Sequence, residues 1–329
     1  MRLGVDLGGT KTEIIALDDS GRELLRRRVA TARSYEGTLA VITELVREAE
    51  TELGAKGSVG LAIPGTISRL TGLAKNANSI WLNGKPFARD LEARLERPIR
   101  TANDANCFAL SEAADGAAKG AHVVFGVILG TGTGGGVVVG GQVLDGAHGI
   151  AGEWGHNPLP GMTREEWDEA GPCYCGGKGC IEQWLSGAGL TADFLRHPLR
   201  PSHAQERATA LGSLGREPRP TTSASRAGEA DQNWTPQKIA ASDQPQAKAA
   251  MGRWMERMGR ALASVMNILD PDAVVLGGGL SNIEALYRDL PAMVERHGFC
   301  PETPPRILRN VHGDSSGVRG AAWLWPVGQ

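Results

Sequence analysis

Apolar and polar positions alternate in short bursts along the first sixty residues. "RLGVDL" (2–7) and "TEIIAL" (12–17) are β-type runs on either side of "GGTK", and "DDSG" closes the second, so the pattern predicts a hairpin that bends on glycine. From 37 to 53 the period changes: Leu39, Ile42, Leu45, Val46 and Leu53 recur at helical spacing, and "VGLAIPG" then returns to a buried strand. The second half repeats the theme. "VVFGVILG" reads as a strand, "TGTGGG" as a turn, "VVVGG" as a second strand and "QVLDG" as another turn. Later, Leu262, Val265, Met266 and Leu269 mark a helix that stops at "DPD" before the buried strand "AVVL", which ends in Gly277, Gly278 and Gly279. Three glycine clusters therefore close strands within an α/β alternation.

One stretch breaks the pattern. Residues 196–233 carry prolines, scattered arginines and many Ser and Thr, with almost no large apolar side chain, and read as a long surface insertion. A lid over a site is the sharper alternative.

The chain's 329 residues suit two lobes of about 150 residues each. With 41% hydrophobic residues and a formal charge of −2, the composition is globular and carries no electrostatic footprint for nucleic acid, which points to a small-molecule partner. No apolar run approaches the ~18 residues of a membrane span. The amino terminus enters a strand without an export segment, so a cytoplasmic location and no membrane partner are expected.

The densest glycine run, "LGTGTGGGVVVGG" (129–141), places Gly130, Gly132 and Gly135 at dinucleotide-site spacing. A dinucleotide fold would open a helix there, whereas Val137, Val138 and Val139 lead into another turn at Gly140 and Gly141. "GVDLGGTK" likewise misses the P-loop spacing. What remains are two Gly/Thr-rich hairpin turns, the first carrying Lys11, whose N–H groups and hydroxyls suit anionic oxygens.

Of five cysteines, three lie in "CYCGGKGC". His156, Cys173, Cys175 and Cys180 together supply one imidazole and three thiolates, the set that closes a tetrahedral zinc site and leaves no open position for substrate water. Such a metal orders a loop. Cys107 and Cys300 lack comparable partners.

"VDLGGTK", "NDANCFALSEA", "GTGTGGGVV", "AGEWGHNPL", "CYCGGKGCIE", "NILDPDAVVLGGGLSN" and "HGDSSGVRGAAWLW" together resemble the ROK family of sugar kinases. The similarity covers nearly the whole chain, and "NANSIWLNGKPF" (76–87) resembles the bacterial ROK fructokinases most closely. The resemblance implies an α/β fold: a two-lobed actin-like ATPase (ribonuclease H-like) form with a small zinc-binding loop. It implies an N-terminal lobe over 1–115, with 312–329 packing back on it, and a C-terminal lobe over 116–311. The implied activity is ATP-dependent phosphorylation of a hexose at its primary hydroxyl, D-fructose to fructose 6-phosphate. Mannose, glucose or N-acetylglucosamine are alternatives, as is a non-catalytic sugar-binding regulator. Family repressors carry a helix-turn-helix module ahead of the first strand, and here a strand begins at residue 2.

By the same resemblance Asp104 is the catalytic base, although an aspartate before a helix also serves as a cap. Asn103, Asp104, Glu153, His156 and Glu182 would contact the sugar, with Gly65 and Asn78 at the rim. If one nitrogen of His156 binds zinc, the other is free to face the sugar. The phosphates of ATP would lie between Gly8, Gly9, Thr10 and Lys11 on one side and Thr131, Gly132, Thr133 and Gly134 on the other, with adenosine near Gly277 and Gly278. Mg²⁺ would be held mainly by phosphates and water, with Asp6 as an outer partner. A homodimer is a family expectation.

Overall fold

The computed structural model describes residues 1–198, 233–299 and 303–326. Most of the insertion read at 196–233, and Cys300, lie outside the described residues. Two five-stranded sheets carry the molecule. The first is built from β1 (Arg2–Leu7), β2 (Lys11–Leu17), β3 (Glu23–Ala30), β4 (Ser58–Ile63) and β7 (Ile99–Asn103), in the order β3-β2-β1-β4-β7. A small ribbon of β5 (Thr66–Ile67) and β6 (Ala74–Lys75) projects from it. The second is built from β8 (Val123–Leu129), β9 (Thr133–Val139), β10 (Gln142–Val143), β11 (Ala273–Gly277) and β12 (Ile307–Arg309), in the order β10-β9-β8-β11-β12. Each sheet has an antiparallel meander on one side and two parallel strands on the other. The repeat of glycine-hinged hairpins seen in the sequence is thus a repeat of topology.

The helices are α1 (Tyr35–Leu53), α2 (Phe87–Leu95), α3 (Asp104–Ala114), α4 (Arg164–Glu169), α5 (Ile181–Leu185) and α6 (Gly187–Arg196). After them come α7 (Pro236–Ala241), α8 (Pro245–Leu269), α9 (Ala285–Arg288), α10 (Leu290–His297) and α11 (Ser316–Trp323). The helix expected over 37–53 is α1: Ser34 caps it through the Gly37 N–H, and Gly54 ends it in the left-handed region at φ 64°. None of the described helices is long and apolar enough to cross a membrane.

Alternation along β1 sends Leu3, Val5 and Leu7 to one face, where they pack with Leu39, Ile42, Leu45 and Val46 of α1. On the other face, Ile15 and Leu17 of β2 meet Val318 and Ala322 of α11. In the second sheet, Phe125, Val127 and Leu129 pack with Trp254 and Met258 of α8, while Val124 and Val138 turn toward Phe108 and Leu110 of α3. Helices α3 and α11 therefore fill the space between the sheets and pack on each other. Their approach admits no side chain: a Cβ on Gly320 would lie 1.7 Å from the Cys107 carbonyl oxygen; α11 lies as close on the first sheet, where a Cβ on Gly60 of β4 would lie 1.9 Å from the Ala321 carbonyl oxygen. Fully buried Glu112 of α3 ties the segment before α11, accepting from the N–H groups of Ala117 and Val311 (3.0 Å each) and His312 (3.2 Å) and from the Ser316 hydroxyl (2.9 Å).

One boundary departs from the sequence expectation. Gly134, Gly135 and Gly136, read as turn, belong to β9. A Cβ on Gly136 would sit 2.4 Å from the Ala105 carbonyl oxygen, and one on Gly135 would sit 2.8 Å from the Trp154 ring. These glycines are strand residues pressed from both faces, and the turn shrinks to 130–132.

Candidate active site

Asp104 is the first helical residue of α3, where β7 ends. The capping role goes to its neighbour: Asn103 Oδ1 accepts from the Asn106 N–H at 2.7 Å, while Asp104 Oδ1 accepts from the adjacent Ala105 N–H at 2.9 Å. Asp104 is exposed at its tip, yet the surrounding protein crowds it, and this burial raises its carboxyl above the usual range despite the opposing hydrogen bond from Ala105.

Both hairpins reach this helix terminus. From the first, Asp6 on β1 is pushed up to about 7 by burial, then by the charges of Asp104 and Glu13, against the pull of Arg28. Register explains the row: Asp6 pairs with Glu13 across β1 and β2, and Glu13 pairs with Arg28 across β2 and β3. Glu13 is buried and held by Arg26 and Arg28. The turn beyond is closed by the Gly8 N–H donating to Lys11 O at 3.0 Å and by the Thr31 hydroxyl donating to Gly8 O at 2.8 Å. Gly9, Thr10 and Lys11 are exposed there.

From the second hairpin, β9 lies against the first turn of α3, with Ala105 beside Gly134 and Gly136. The 130–132 turn is closed by the Gly130 N–H donating to Gly132 O at 3.0 Å and is held by three further segments. Glu182 Oε2 accepts from the Thr133 N–H (3.0 Å), the Gly187 N–H donates to Gly130 O (2.8 Å), and the Leu280 N–H donates to Leu129 O (3.0 Å). Thr131 is exposed, Gly132 and Gly134 are half-buried and Thr133 is buried. The third glycine cluster thus stands beside the second: Gly277 is buried against the Phe108 ring, and Gly278 is exposed with φ +80°.

Of the remaining expected sugar residues, Glu153, His156 and Glu182 come from the second half and Gly65 and Asn78 from the first. Glu153, open to the cleft and just before a 3₁₀ turn at Trp154–His156, is raised by burial; His156 opposes the shift, and Asp104 and Glu182 add to it. Asp104, Glu153, His156 and Glu182 therefore share one electrostatic neighbourhood. Gly65 adopts φ +81° between β4 and β5, and Asn78 is exposed in the loop after β6, where Asn83 pins Ala77 by hydrogen bonds to both its N–H and its carbonyl. The β5–β6 ribbon crosses to the second half through Lys75 Nζ donating to His148 O (3.0 Å) and an Arg69–Asp145 ion pair (3.3 Å).

The ligand atoms of His156, Cys173, Cys175 and Cys180 lie within 4.8 Å of one another. All three cysteines are free thiols. A tetrahedral zinc with sulfurs at about 2.3 Å holds them about 3.8 Å apart, and the Cys175–Cys180 separation of 3.6 Å fits that ion. Nδ1 of His156 faces Cys173 Sγ at 3.6 Å. Its other nitrogen is not free for a sugar: the Tyr174 hydroxyl meets Nε2 at 2.8 Å, because Tyr174 follows Cys173 directly and its phenol folds over the imidazole. Tyr174 was not singled out by sequence; its only signal was its place between two ligands.

Helix α5 joins these parts. Cys180 is its N-cap, Glu182 braces the glycine turn, and Gln183 bonds Pro172 O (2.7 Å) and the Gly179 N–H (3.1 Å) in the cysteine loop. That loop also contains α4, whose Glu166 accepts from Arg257 (2.9 Å) and Arg260 (2.6 Å) of α8. The guanidinium of Arg257 lies 4.4 Å over the Trp184 ring and also donates to Asp193 at 2.6 Å.

The profile described as "ROK family" matches residues 2–327. An N-acetyl-D-glucosamine kinase of Escherichia coli O1:K1 is 40% identical over 329 residues, covering 98% of this chain and 99% of the relative. Among solved structures, a ROK hexokinase from Thermus thermophilus superposes with TM-score 0.74 at 29% identity, covering 98% of this chain and 97% of that one. A ROK family glucokinase from Streptomyces griseus, in complex with glucose and AMPPNP, gives 0.68 at 28% with the same coverage. The two-lobed, actin-like α/β fold expected from the sequence is the fold found.

Proposed function

This chain belongs to the ROK family, and from that premise we propose that it transfers the γ-phosphoryl group of ATP to the primary hydroxyl of a hexose. The observation that carries the reading is the place of Asp104. It stands where both glycine hairpins meet the start of α3, relieved of capping by Asn103, with its carboxyl raised by burial. A carboxylate of raised basicity takes the hydroxyl proton as the sugar oxygen attacks phosphorus, and ADP leaves. The N–H groups of the two turns, with Lys11, would hold the phosphates, and Asp6 would face the magnesium that accompanies them, which neutralises phosphate charge when bound. Glu153, Glu182 and Asn103 supply acceptors for sugar hydroxyls, with Gly65 and Asn78 at the rim.

The cysteine cluster would hold structural zinc through His156 Nδ1 and three thiolates, fixing α5 and hence the second turn. The lobes 1–115 with 312–329 and 116–311 would close across the Lys75–His148 and Arg69–Asp145 ties, excluding water that wastes ATP. D-Fructose is the first substrate to examine, on the resemblance of "NANSIWLNGKPF" to ROK fructokinases. N-acetyl-D-glucosamine is the second, on the 40% identity to kinases of that sugar. Purified protein with MgATP is expected to release ADP when one hexose of a panel of fructose, N-acetylglucosamine, mannose and glucose is added. No release with any of them would remove the kinase reading.

A further inference from the structure

Glu112 is fully buried, and no step of the proposed reaction uses it. Both of its oxygens are filled. Oε1 accepts from the His312 N–H (3.2 Å) and the Ser316 hydroxyl (2.9 Å), and Oε2 accepts from the N–H groups of Ala117 and Val311 (3.0 Å each). A carboxylate has about four acceptor sites, so none is left over. All four donors are neutral. A carboxylate stripped of water and held by neutral groups is a poor source of stability by itself, whereas four directional bonds converging on one side chain fix where it stands.

Its place matters because of what else α3 carries. Asp104 is the first residue of that helix, and Glu112 lies in its last turn, about 12 Å along the axis. Between them the helix is pressed from several sides: Gly136 of β9 lies on the Ala105 carbonyl, Gly126 of β8 on Ala109, Gly277 of β11 on the Phe108 ring and Gly320 of α11 on the Cys107 carbonyl. Such contacts limit how near α3 comes to its neighbours, but they carry no directional bond that stops it turning about its own axis. A turn of about 10° carries a side-chain tip, about 5–6 Å from the axis, through about 1 Å. At a reacting centre a displacement of that size costs about 10²-fold in rate. Glu112 supplies a restraint of the directional kind by bonding across to the chain between β12 and α11, and Asp115, which ends α3, adds ties to His312 (2.8 Å) and Arg319.

We infer that Glu112 is a positioning residue: its four bonds set the rotation of α3, and through it the direction in which the Asp104 carboxylate points from the other end of the helix. The rate consequence of this inference rests on the kinase reading above. The placement of the first turn of α3 does not.

Glu112→Gln keeps the shape of the side chain and turns one acceptor oxygen into an NH₂ group that faces donors. Its kcat per folded molecule is expected to fall about 10- to 100-fold, with the KM for ATP and the calorimetric Kd for the preferred hexose within about 2-fold of the parent. Ser316→Ala removes one donor of the four and should lower kcat about 2- to 10-fold with the same KM and Kd. The control is Val318→Ala, on α11 but buried against Ile15 and Leu17 and supplying none of the four donors; it should lower the melting temperature and keep the parental kcat. A parental kcat in Glu112→Gln, a fall no larger than in Val318→Ala, or a raised KM with kcat unchanged overturns the inference. If Glu112→Gln does not fold, Ser316→Ala decides by the same measures. In ¹⁵N–¹H spectra of the ligand-free protein, the amide signals of Ala105 and Asn106, which donate to Asp104 and Asn103, are expected to move in Glu112→Gln and to stay at their parental positions in Val318→Ala. Signals unmoved in Glu112→Gln overturn the inference whether or not any hexose is phosphorylated. A parent that phosphorylates none, with signals that move as expected, removes the kinase reading and leaves Glu112 as the residue that places the first turn of α3.

Discussion

The two glycine turns stand on sheets of the same strand order and are held in different ways. The first rests on its own hairpin and one neighbouring residue, Thr31, whose hydroxyl donates to Gly8 O and whose N–H donates to Thr10 O, and leaves Gly9, Thr10 and Lys11 exposed. The second is clamped by Glu182, Gly187 and Leu280, from three separate segments. Duplicated topology supplies two glycine-rich bends; the segments that are not duplicated, the cysteine loop and α5, decide which bend is fixed. A turn with few restraints can follow a ligand, and a clamped one can set its register.

The largest effect is expected at the residue that belongs to neither turn. Asp104→Asn should lower kcat by roughly 10²- to 10⁴-fold while sugar binding, followed by calorimetry, persists. If instead turnover falls less than a change in either hairpin makes it fall, Asp104 is not the proton acceptor.

A direct comparison of the turns comes next. Glu182→Ala removes a charge-assisted bond to the Thr133 N–H and should lower kcat/KM about 10- to 100-fold. Thr31→Val removes a neutral bond to Gly8 O and should cost about 2- to 10-fold, expressed in the KM for ATP. Equal losses in the two variants would show that the turns are held alike.

The last effect concerns Asp6 and stability, outside catalysis, and is read in the ligand-free protein. Its folded value of about 7 lies above the ordinary carboxyl value of about 3.9 expected in the unfolded chain. Between those values the folded state binds more protons, so stability declines as pH rises from about 4 to about 7 and levels off above. Asp6→Asn should flatten that decline in melting curves taken across the window. A parental melting temperature that climbs relative to the variant over the same range has the wrong sign.

Much of this was legible in the sequence. Both hairpins were signalled by β-type apolar runs around glycine, and the metal cluster was signalled by three cysteines within eight residues. The identity of Gly134, Gly135 and Gly136 as strand was not, because it depends on Ala105 and Trp154 arriving from other segments. Nor was Glu112: in "SEAADG" it reads as an ordinary helix-surface charge, and its four donors come mainly from residues about two hundred positions away. The tyrosine between two cysteines gave no hint that its phenol would fold back to the histidine. Local periodicity records what a segment forms, not what later packs on it.

The seam between α3 and α11 has a mechanical corollary. Backbone lies on backbone where Gly320 of α11 meets Cys107 of α3, so sliding one helix along the other would drive peptide groups together. A methyl group at position 320 would therefore wedge the two helices apart and loosen both sheets at once, while replacing none of the side chains assigned to the site.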